Sequence, residues 1–342
     1  MNDGKNTKKT NIEILYEITN NYLPEFCYGF LINRGNERNI LSRIKYARNL
    51  KVFFEYAIEE IACLKGKSVR EVLPVDMKGI TPQDLDLFLA KYRETHEIRS
   101  TANMRSTLSN MYGYLVNTTQ KVDKNPVLGA QKIKIQEKDY VIYLNEEEQE
   151  RLLNAVKYGN GLTKRELAFH GRYAKRDLAL IFLFLDTGLR ASEICMADNQ
   201  DLNLESCSII VTRKGGKASE VFFSDEAAAY LSDYMEEKKA KFPLFCGQQD
   251  PLIISEKGNR LTVRQYENII PKYVKAALPE RYESINCHKL RSSFAMTFYA
   301  HDPNILTLQQ RMNHKSLTTT NIYAKASQNV SKQTRNWREK EK

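Results

Sequence analysis

The stretch LALIFLFLDTGLR, residues 178–190, combines a run of apolar residues with a turn and a cation. The apolar part, 178–185, predicts a helix. Thr187 and Gly188 predict its end, because glycine readily adopts the backbone conformation that follows a last helical turn. Arg190 therefore comes just after the break between two elements, and its guanidinium is a candidate for binding an anion.

Helical patterns dominate the rest of the chain. Helices are predicted over 37–63, 98–116, 225–241, 262–277 and 287–301, and in the tail. Two short strands are predicted over 207–213 and 219–224, around Gly215 and Gly216. Paired glycines are typical of a β-hairpin turn, because both central residues of a type I′ turn need positive φ. The predicted fold is mainly α with a small antiparallel β-sheet.

A basic stretch separates two helical parts. Residues 124–139, KNPVLGAQKIKIQEKD, contain proline, glycine and four lysines but no long apolar face, which is typical of a linker. We therefore expect a helical domain over 1–123 and a second domain over 140–342. A chain of 342 residues is long enough for two domains that each bury a core.

The composition bounds the possible functions. The formal net charge is +10, and both halves of the chain share the excess of cations. Such a surface suits a polyanion that runs across two domains, although many basic proteins bind no nucleic acid. The six cysteines have no spacing that is typical of metal ligands, so we expect them to be reduced thiols. We expect neither a metal nor a cofactor. Without an apolar run of membrane length or a secretory signal, we expect a cytoplasmic protein.

Several polar residues have the side-chain types that phosphoryl transfer requires. Two arginines can each bind two non-bridging oxygens of a phosphate. A tyrosine hydroxyl can form a covalent phosphoester, which conserves the energy of the broken bond for a rejoining step. A lysine on a hairpin turn can protonate the departing oxygen. The candidates are Arg190, Lys214, His288, Arg291, His314 and Tyr323.

Each candidate has an ordinary alternative explanation when it is taken alone. An arginine after TGL often serves only as a cation at a helix end, and an HxxR pair is common on surface helices. A lysine beside two glycines is usually a solvated hairpin residue, and most of the 19 tyrosines are expected to be packing residues. The order and spacing of all the candidates together favour a site for phosphoryl transfer over these alternatives.

Four sequence boxes resemble those of the tyrosine recombinases, also called the phage integrase family. They are TGLRASE at 187–193, Lys214 beside two glycines, HKLR at 288–291, and NHKS at 313–316 followed by Tyr323. The resemblance covers nearly the whole chain. It implies that 1–123 is a helical core-binding domain that binds DNA and that 140–342 is the catalytic domain.

The resemblance also implies a role for each residue. Arg190 and Arg291 would hold the scissile phosphate of double-stranded DNA, and Tyr323 would form a 3′-phosphotyrosyl bond. Lys214 would be the general acid, with His288 assisting proton transfer. His314 would hydrogen-bond the phosphate, and Glu193 would support the site. The family acts as a homotetramer that passes through a Holliday junction, and the tail at 327–342 would pack onto a neighbouring protomer.

Two positions depart from the family pattern. Asn313 replaces the glycine that usually precedes the second histidine, and Ser292 replaces a histidine that often follows HxLR. Asparagine tolerates positive φ better than other residues with a side chain, so we expect the turn at Asn313 to form. Neither change removes an atom that the reaction requires.

Several functions remain open at this level. Residues 159–163 and 211–216 resemble the single-recombinase Xer subgroup (XerS type), which implies chromosome dimer resolution, with a possible accessory division protein. A mobile-element integrase, which integrates or excises its own DNA, fits the same catalytic boxes. A type IB topoisomerase would share the tyrosine chemistry without pairing two sites. A DNA-binding protein with an idle site is the non-enzymatic alternative.

Overall fold

A computed structural model describes residues 10–33, 40–135, 140–213, 216–313 and 316–333. The chain divides into two compact units, Met1–Glu137 and Lys138–Lys342. Each unit has its own hydrophobic core. In the part of the chain that the structure describes, no helix combines the length and the apolar character that crossing a membrane requires.

The first unit is helical. Its helices are α1 Asn11–Tyr22, α2 Phe26–Asn33, α3 Ile40–Glu60, α4 Pro82–Thr95 and α5 Ile98–Asn117. Thr81 caps α4, because its hydroxyl accepts the Asp84 N–H and its own N–H donates to the Asp84 carboxylate at 2.8 Å. The ring of Phe53 packs edge-on against Phe54 and Phe88, with centroids 5.2 Å apart in each pair.

Part of the predicted linker packs into this first unit. Val127 and Ala130 are buried in its core, and residues 126–128 form a short 3-10 helix. Arg105 of α5 donates to the carbonyl oxygens of Val127, at 2.7 Å, and of Gln131, at 3.1 Å. The stretch lacks a long apolar face, but two small apolar side chains and one arginine are enough to hold it against α4 and α5. Residues 136–139 lie outside the described part.

The second unit surrounds a long central helix. Its helices are α6 Glu146–Tyr158, α7 Lys164–Thr187, α8 Ala191–Met196, α9 Asp225–Lys241, α10 Val263–Ala277, α11 Cys287–His301, α12 Ile305–Met312 and α13 Leu317–Gln333. The apolar run at 178–185 forms the last turns of α7 and is buried except at Phe182. Helices α6, α9 and α11 pack against α7. The run that predicts a helix thus forms the middle of the core.

One small sheet belongs to the second unit. Strands β1 Leu202–Asn203, β2 Ser208–Thr212 and β3 Ala218–Phe222 form an antiparallel sheet in the order β1-β2-β3. The hairpin register pairs Thr212 with Ala218, and Gly216 has a φ of +80°. The predicted mainly α fold with a small antiparallel sheet is confirmed. Strand β1 was not predicted, because two residues carry no periodic pattern.

Candidate active site

The turn between α7 and α8 requires glycine at Gly188. This residue has a φ of +60°, and its N–H donates to the Phe184 carbonyl oxygen at 3.0 Å. A Cβ placed on Gly188 would lie 2.3 Å from Cδ1 of Phe294, on α11. Both the conformation and the close packing against α11 therefore exclude a side chain. The turn directs the chain so that Arg190 stands at the N-terminus of α8.

We expect Gly188→Ala to lower the free energy of unfolding by about 2–4 kcal/mol, from left-handed backbone strain together with overpacking against Phe294. Gly171, in the exposed part of the same helix, is the matched control because a Cβ there meets nothing within 4 Å. Gly171→Ala should raise the free energy of unfolding by about 0.5–1 kcal/mol. Denaturant unfolding of both variants measures the difference, and equal effects would contradict this explanation.

A buried carboxylate on α8 joins Arg190, in this turn, to Arg213, which follows β2. Oε1 of Glu193 lies 2.8 Å from Nη1 of Arg190, and its Oε2 lies 2.9 Å from Nη1 of Arg213. Burial on its own would raise the pKa of Glu193. The Arg190 N–H and the two guanidinium groups outweigh it and hold the pKa of this carboxyl below its ordinary value. Glu193 is thus charged and keeps Arg190 in place.

Arg291 connects two turns of the second unit. It is 2% exposed, and its guanidinium donates to the carbonyl oxygen of Gly188 and to that of Met312, the last residue of α12. Burial, and then the charge of Arg190, lower the pKa of Arg291 to about 10, so it remains a cation at neutral pH. One side chain therefore ties the α7–α8 turn to the end of α12.

His288 lies one turn before Arg291 on the same helix and reaches solvent. Partial desolvation, and then the charges of Lys289, Arg291 and Arg190, hold the pKa of the imidazole below its ordinary value. A neutral imidazole beside a cationic cluster can accept a proton and pass it on.

Tyr323 is buried on α13, with 3% of its surface exposed. It packs in a small apolar cluster that includes Phe294 and Met312. Burial raises the pKa of its hydroxyl, while a hydrogen bond with the side chain of Ser292 and the charge of Arg291 act in the opposite direction. The phenol thus lies in the field of the buried arginine.

Asn313 adopts the left-handed conformation expected for it, with a φ of +47°, and ends α12. The prediction that asparagine supports this turn in place of glycine is confirmed. His314, which follows it, lies outside the described residues, and so does Lys214. The structure brings Arg190, Glu193, His288, Arg291 and Tyr323 to one region around the α7–α8 turn and α11.

Two residues of this region were not assigned from the sequence. Arg213 is buried against Glu193, and Ser292 is buried beside Tyr323. In the sequence, Ser292 is only a departure from the family pattern. Arg213 directly precedes Lys214 in the chain, but no sequence pattern assigns it a role. Because both act through neighbours distant in sequence, spacing alone does not identify them.

Known proteins share this sequence pattern. The model of the phage integrase family matches residues 143–329. The tyrosine recombinase XerC of Caldanaerobacter subterraneus subsp. tengcongensis is 27% identical over 317 residues, which cover 88% of this chain and 82% of the relative. The tyrosine recombinase XerS of Lactococcus lactis subsp. cremoris is 26% identical over 342 residues, which cover 92% of this chain and 94% of the relative.

Solved structures share the fold. A post-cleavage complex of the XerH site-specific recombinase with a palindromic difH substrate aligns with a TM-score of 0.68 at 19% identity, covering 96% of this chain and 94% of that one. A lambda integrase dimer bound to a COC′ core site aligns with a TM-score of 0.61 at 16% identity, covering 87% and 93%. These relatives do not favour the topoisomerase alternative. The family model matches more than half of this chain, so the chain belongs to the phage integrase family. It is a site-specific tyrosine recombinase, an enzyme that cleaves and rejoins DNA strands.

Proposed function

We propose that Tyr323 is the nucleophile of this recombinase and that Arg190 and Arg291 hold the scissile phosphate. The observation that carries the proposal is the position of Arg291. Its guanidinium donates to the carbonyl oxygens of Gly188 and Met312, and Met312 packs in the same buried cluster as Tyr323. Arg190 has 39% of its side chain exposed, so it can reach a phosphate while Glu193 orients it. Two fixed cations stabilise the charge that develops on the phosphate in the transition state.

The cleavage step then balances as a transesterification. The Tyr323 oxygen attacks phosphorus, the bond from phosphorus to the 5′-oxygen breaks, and a 3′-phosphotyrosyl bond forms. His288 assists removal of the phenolic proton, and Lys214 supplies a proton to the departing 5′-oxygen. His314 hydrogen-bonds the phosphate. Attack by the 5′-hydroxyl of another strand reverses the step and releases Tyr323, so the reaction needs no cofactor.

The pH dependence tests the role of His288. The imidazole assists only when it is neutral, and its pKa lies below the ordinary value of 6.5. As the pH falls, protonation removes the acceptor, so cleavage should slow with a midpoint below pH 6.5. Single-turnover formation of the covalent adduct across the acidic and neutral range measures this midpoint. In His288→Gln the slowing of cleavage at acidic pH should disappear. A wild-type midpoint above pH 6.5 would contradict the role of His288 in proton transfer.

The first unit offers a surface for DNA backbone contacts. A polar groove of about 240 Å³ lies between α3 and α5 and is lined by Ser42, Lys45, Tyr46, Asn103, Ser106 and Thr107. Its hydroxyl, amide and ammonium groups are those that bind phosphate and sugar oxygens. Exposed cations at Arg48, on α3, and Arg99, on α5, add positive charge to these helices. We propose that this unit is the core-binding domain and that this face meets the duplex.

We also propose that the enzyme acts as a homotetramer on two DNA sites, through a Holliday junction. A groove of about 400 Å³ in the second unit is lined by residues that include Glu146, Glu147, Met296 and Ser327. The predicted tail at 327–342 begins within α13. Its last part, 334–342, lies outside the described residues, is rich in cations and contains Trp337. Its charge is complementary to the acidic rim, which supports docking of a neighbour's tail in this groove.

We propose chromosome dimer resolution in the cytoplasm, with an accessory division protein, because this chain matches proteins named XerC and XerS over most of their own length. Integration or excision of a mobile element is the alternative, since lambda integrase shares the fold. Sequencing of DNA fragments that the enzyme traps covalently distinguishes the two, because a single chromosomal site supports the first and element ends support the second. Strand exchange between two duplexes that carry the recovered sequence tests recombination, and relaxation of supercoils without exchange would contradict it.

A further inference from the structure

We propose that Arg213 is a positioning residue that anchors the β2–β3 hairpin to the turn carrying Arg190, and thereby places the general acid that follows it in the chain. The inference rests on the proposed function, which gives Lys214 that role. Arg213 is ion-paired to the buried carboxylate of Glu193, and the proposed function gives it no contact with the substrate. Its effect on catalysis must pass through its neighbours.

The side chain of Arg213 spans two elements. It follows β2 directly, and its Nη1 lies 2.9 Å from Oε2 of Glu193, on α8. The other carboxylate oxygen of Glu193 holds Arg190 at 2.8 Å. Glu193 is itself 3% exposed, so solvent screens this connection little. One buried carboxylate therefore joins the base of the hairpin to the arginine proposed to bind phosphate.

The main chain of Arg213 closes the hairpin. Its N–H donates to the Lys217 carbonyl oxygen at 2.8 Å, and its own carbonyl oxygen accepts the Gly216 N–H at 3.0 Å. The same residue thus fixes the shape of the turn and, through its side chain, the attachment of the turn to α8. Lys214 is the next residue in the chain, so it is bonded directly to the anchored residue.

The guanidinium of Arg213 is incompletely satisfied. Its Nε is buried and has no hydrogen-bond partner among the residues that the structure describes. A buried polar group without a partner costs stability, so Arg213 does not act as a purely stabilising residue. Its incomplete hydrogen bonding agrees with a positioning role in the site.

A duplex with sulfur at the scissile position distinguishes a misplaced general acid from other defects in the active site. In a duplex with sulfur in place of the scissile 5′-bridging oxygen, the leaving group is a thiolate, which departs without a proton because thiols are far more acidic than alcohols. A variant whose only defect is a misplaced general acid should therefore regain activity on this duplex. A variant with a displaced Arg190 should stay slow on both duplexes.

The experiment compares wild type, Arg213→Gln, Arg213→Lys and Lys214→Ala in single-turnover adduct formation. The probes are nicked duplexes of the trapped sequence, with oxygen or sulfur at the scissile position. We expect Arg213→Gln to be about 10- to 100-fold slower than wild type on the oxygen duplex and nearly as fast as wild type on the sulfur duplex, as for Lys214→Ala. Arg213→Lys, which keeps the charge, should lie between Arg213→Gln and wild type on the oxygen duplex.

Arg176→Gln is the matched control for lost stability. Arg176 is also buried and ion-paired, to Asp177 at 2.7 Å, on α7. This variant should melt at a lower temperature yet cleave the oxygen duplex nearly as fast as wild type. If Arg213→Gln and Arg213→Lys, assayed below their melting temperatures, are equally slow on both duplexes or as fast as wild type on both, the inference is wrong. No adduct from wild type on either duplex would instead contradict the proposed function.

Discussion

Replacing Tyr323 by phenylalanine is expected to abolish the covalent protein–DNA adduct while leaving DNA binding unchanged. The substitution removes the one oxygen that attacks phosphorus and keeps the ring that packs beside Phe294 and Met312. Without the nucleophile the rate should fall by at least about 10⁴-fold, the scale seen when a covalent catalytic group is removed. Denaturing gel electrophoresis of a nicked suicide duplex measures the adduct, and a mobility shift measures binding.

Tyr299→Phe is the matched control for this variant. Tyr299 lies on α11 and packs against the same small cluster as Tyr323. The substitution Tyr299→Phe also removes a phenolic oxygen from a partly buried position. This control should form the adduct at nearly the wild-type rate. An adduct that persists in Tyr323→Phe and disappears in Tyr299→Phe would show that Tyr299, on α11, is the nucleophile.

Replacing Arg291 by lysine is expected to damage both stability and catalysis. A single ammonium cannot span the carbonyl oxygens of Gly188 and Met312 as the guanidinium does. Leaving one acceptor unsatisfied should lower the free energy of unfolding by about 1–3 kcal/mol. Loss of the planar phosphate clamp should slow adduct formation by about 10²–10³-fold, as for other oriented charge-stabilising groups. Denaturant unfolding and single-turnover cleavage measure the two effects separately.

Arg260 provides the control for Arg291. It too donates to two main-chain carbonyl oxygens, those of Cys195 and Ala197, at 2.9 Å each. Arg260→Lys should therefore lose stability without a comparable loss of cleavage rate. If the two lysine variants slowed cleavage equally, the effect of Arg291 would be structural rather than electrostatic.

The elements that could be predicted from the sequence are those with a strong local pattern. The apolar run at 178–185 forms the buried end of α7, and the glycine pair lies between β2 and β3. Gly188 ends α7 in the left-handed conformation that its sequence position predicts. Strand β1 and the packed part of 124–139 were not predicted, because tertiary contacts rather than local periodicity determine both.

The candidate site was likewise predictable from the sequence only in part. The motifs that contain Arg190, His288, Arg291 and Tyr323, together with their resemblance to the phage integrase family, predict a shared site. The turn at Asn313 follows from the tolerance of asparagine for positive φ. The connection of Arg213 to Glu193 joins residues that are 20 positions apart and leaves no mark in the spacing of the motifs. Such partners become visible only when the fold places them together.

The most direct test of the account is to identify the residue that carries DNA in the trapped adduct. Nuclease digestion of the adduct leaves a short nucleotide on the protein, and mass spectrometry of the tryptic peptides locates it. The account predicts a 3′-linked nucleotide on Tyr323, in the peptide that contains Asn321 and Ile322. A nucleotide on any other residue, or one linked through its 5′-phosphate, would contradict it.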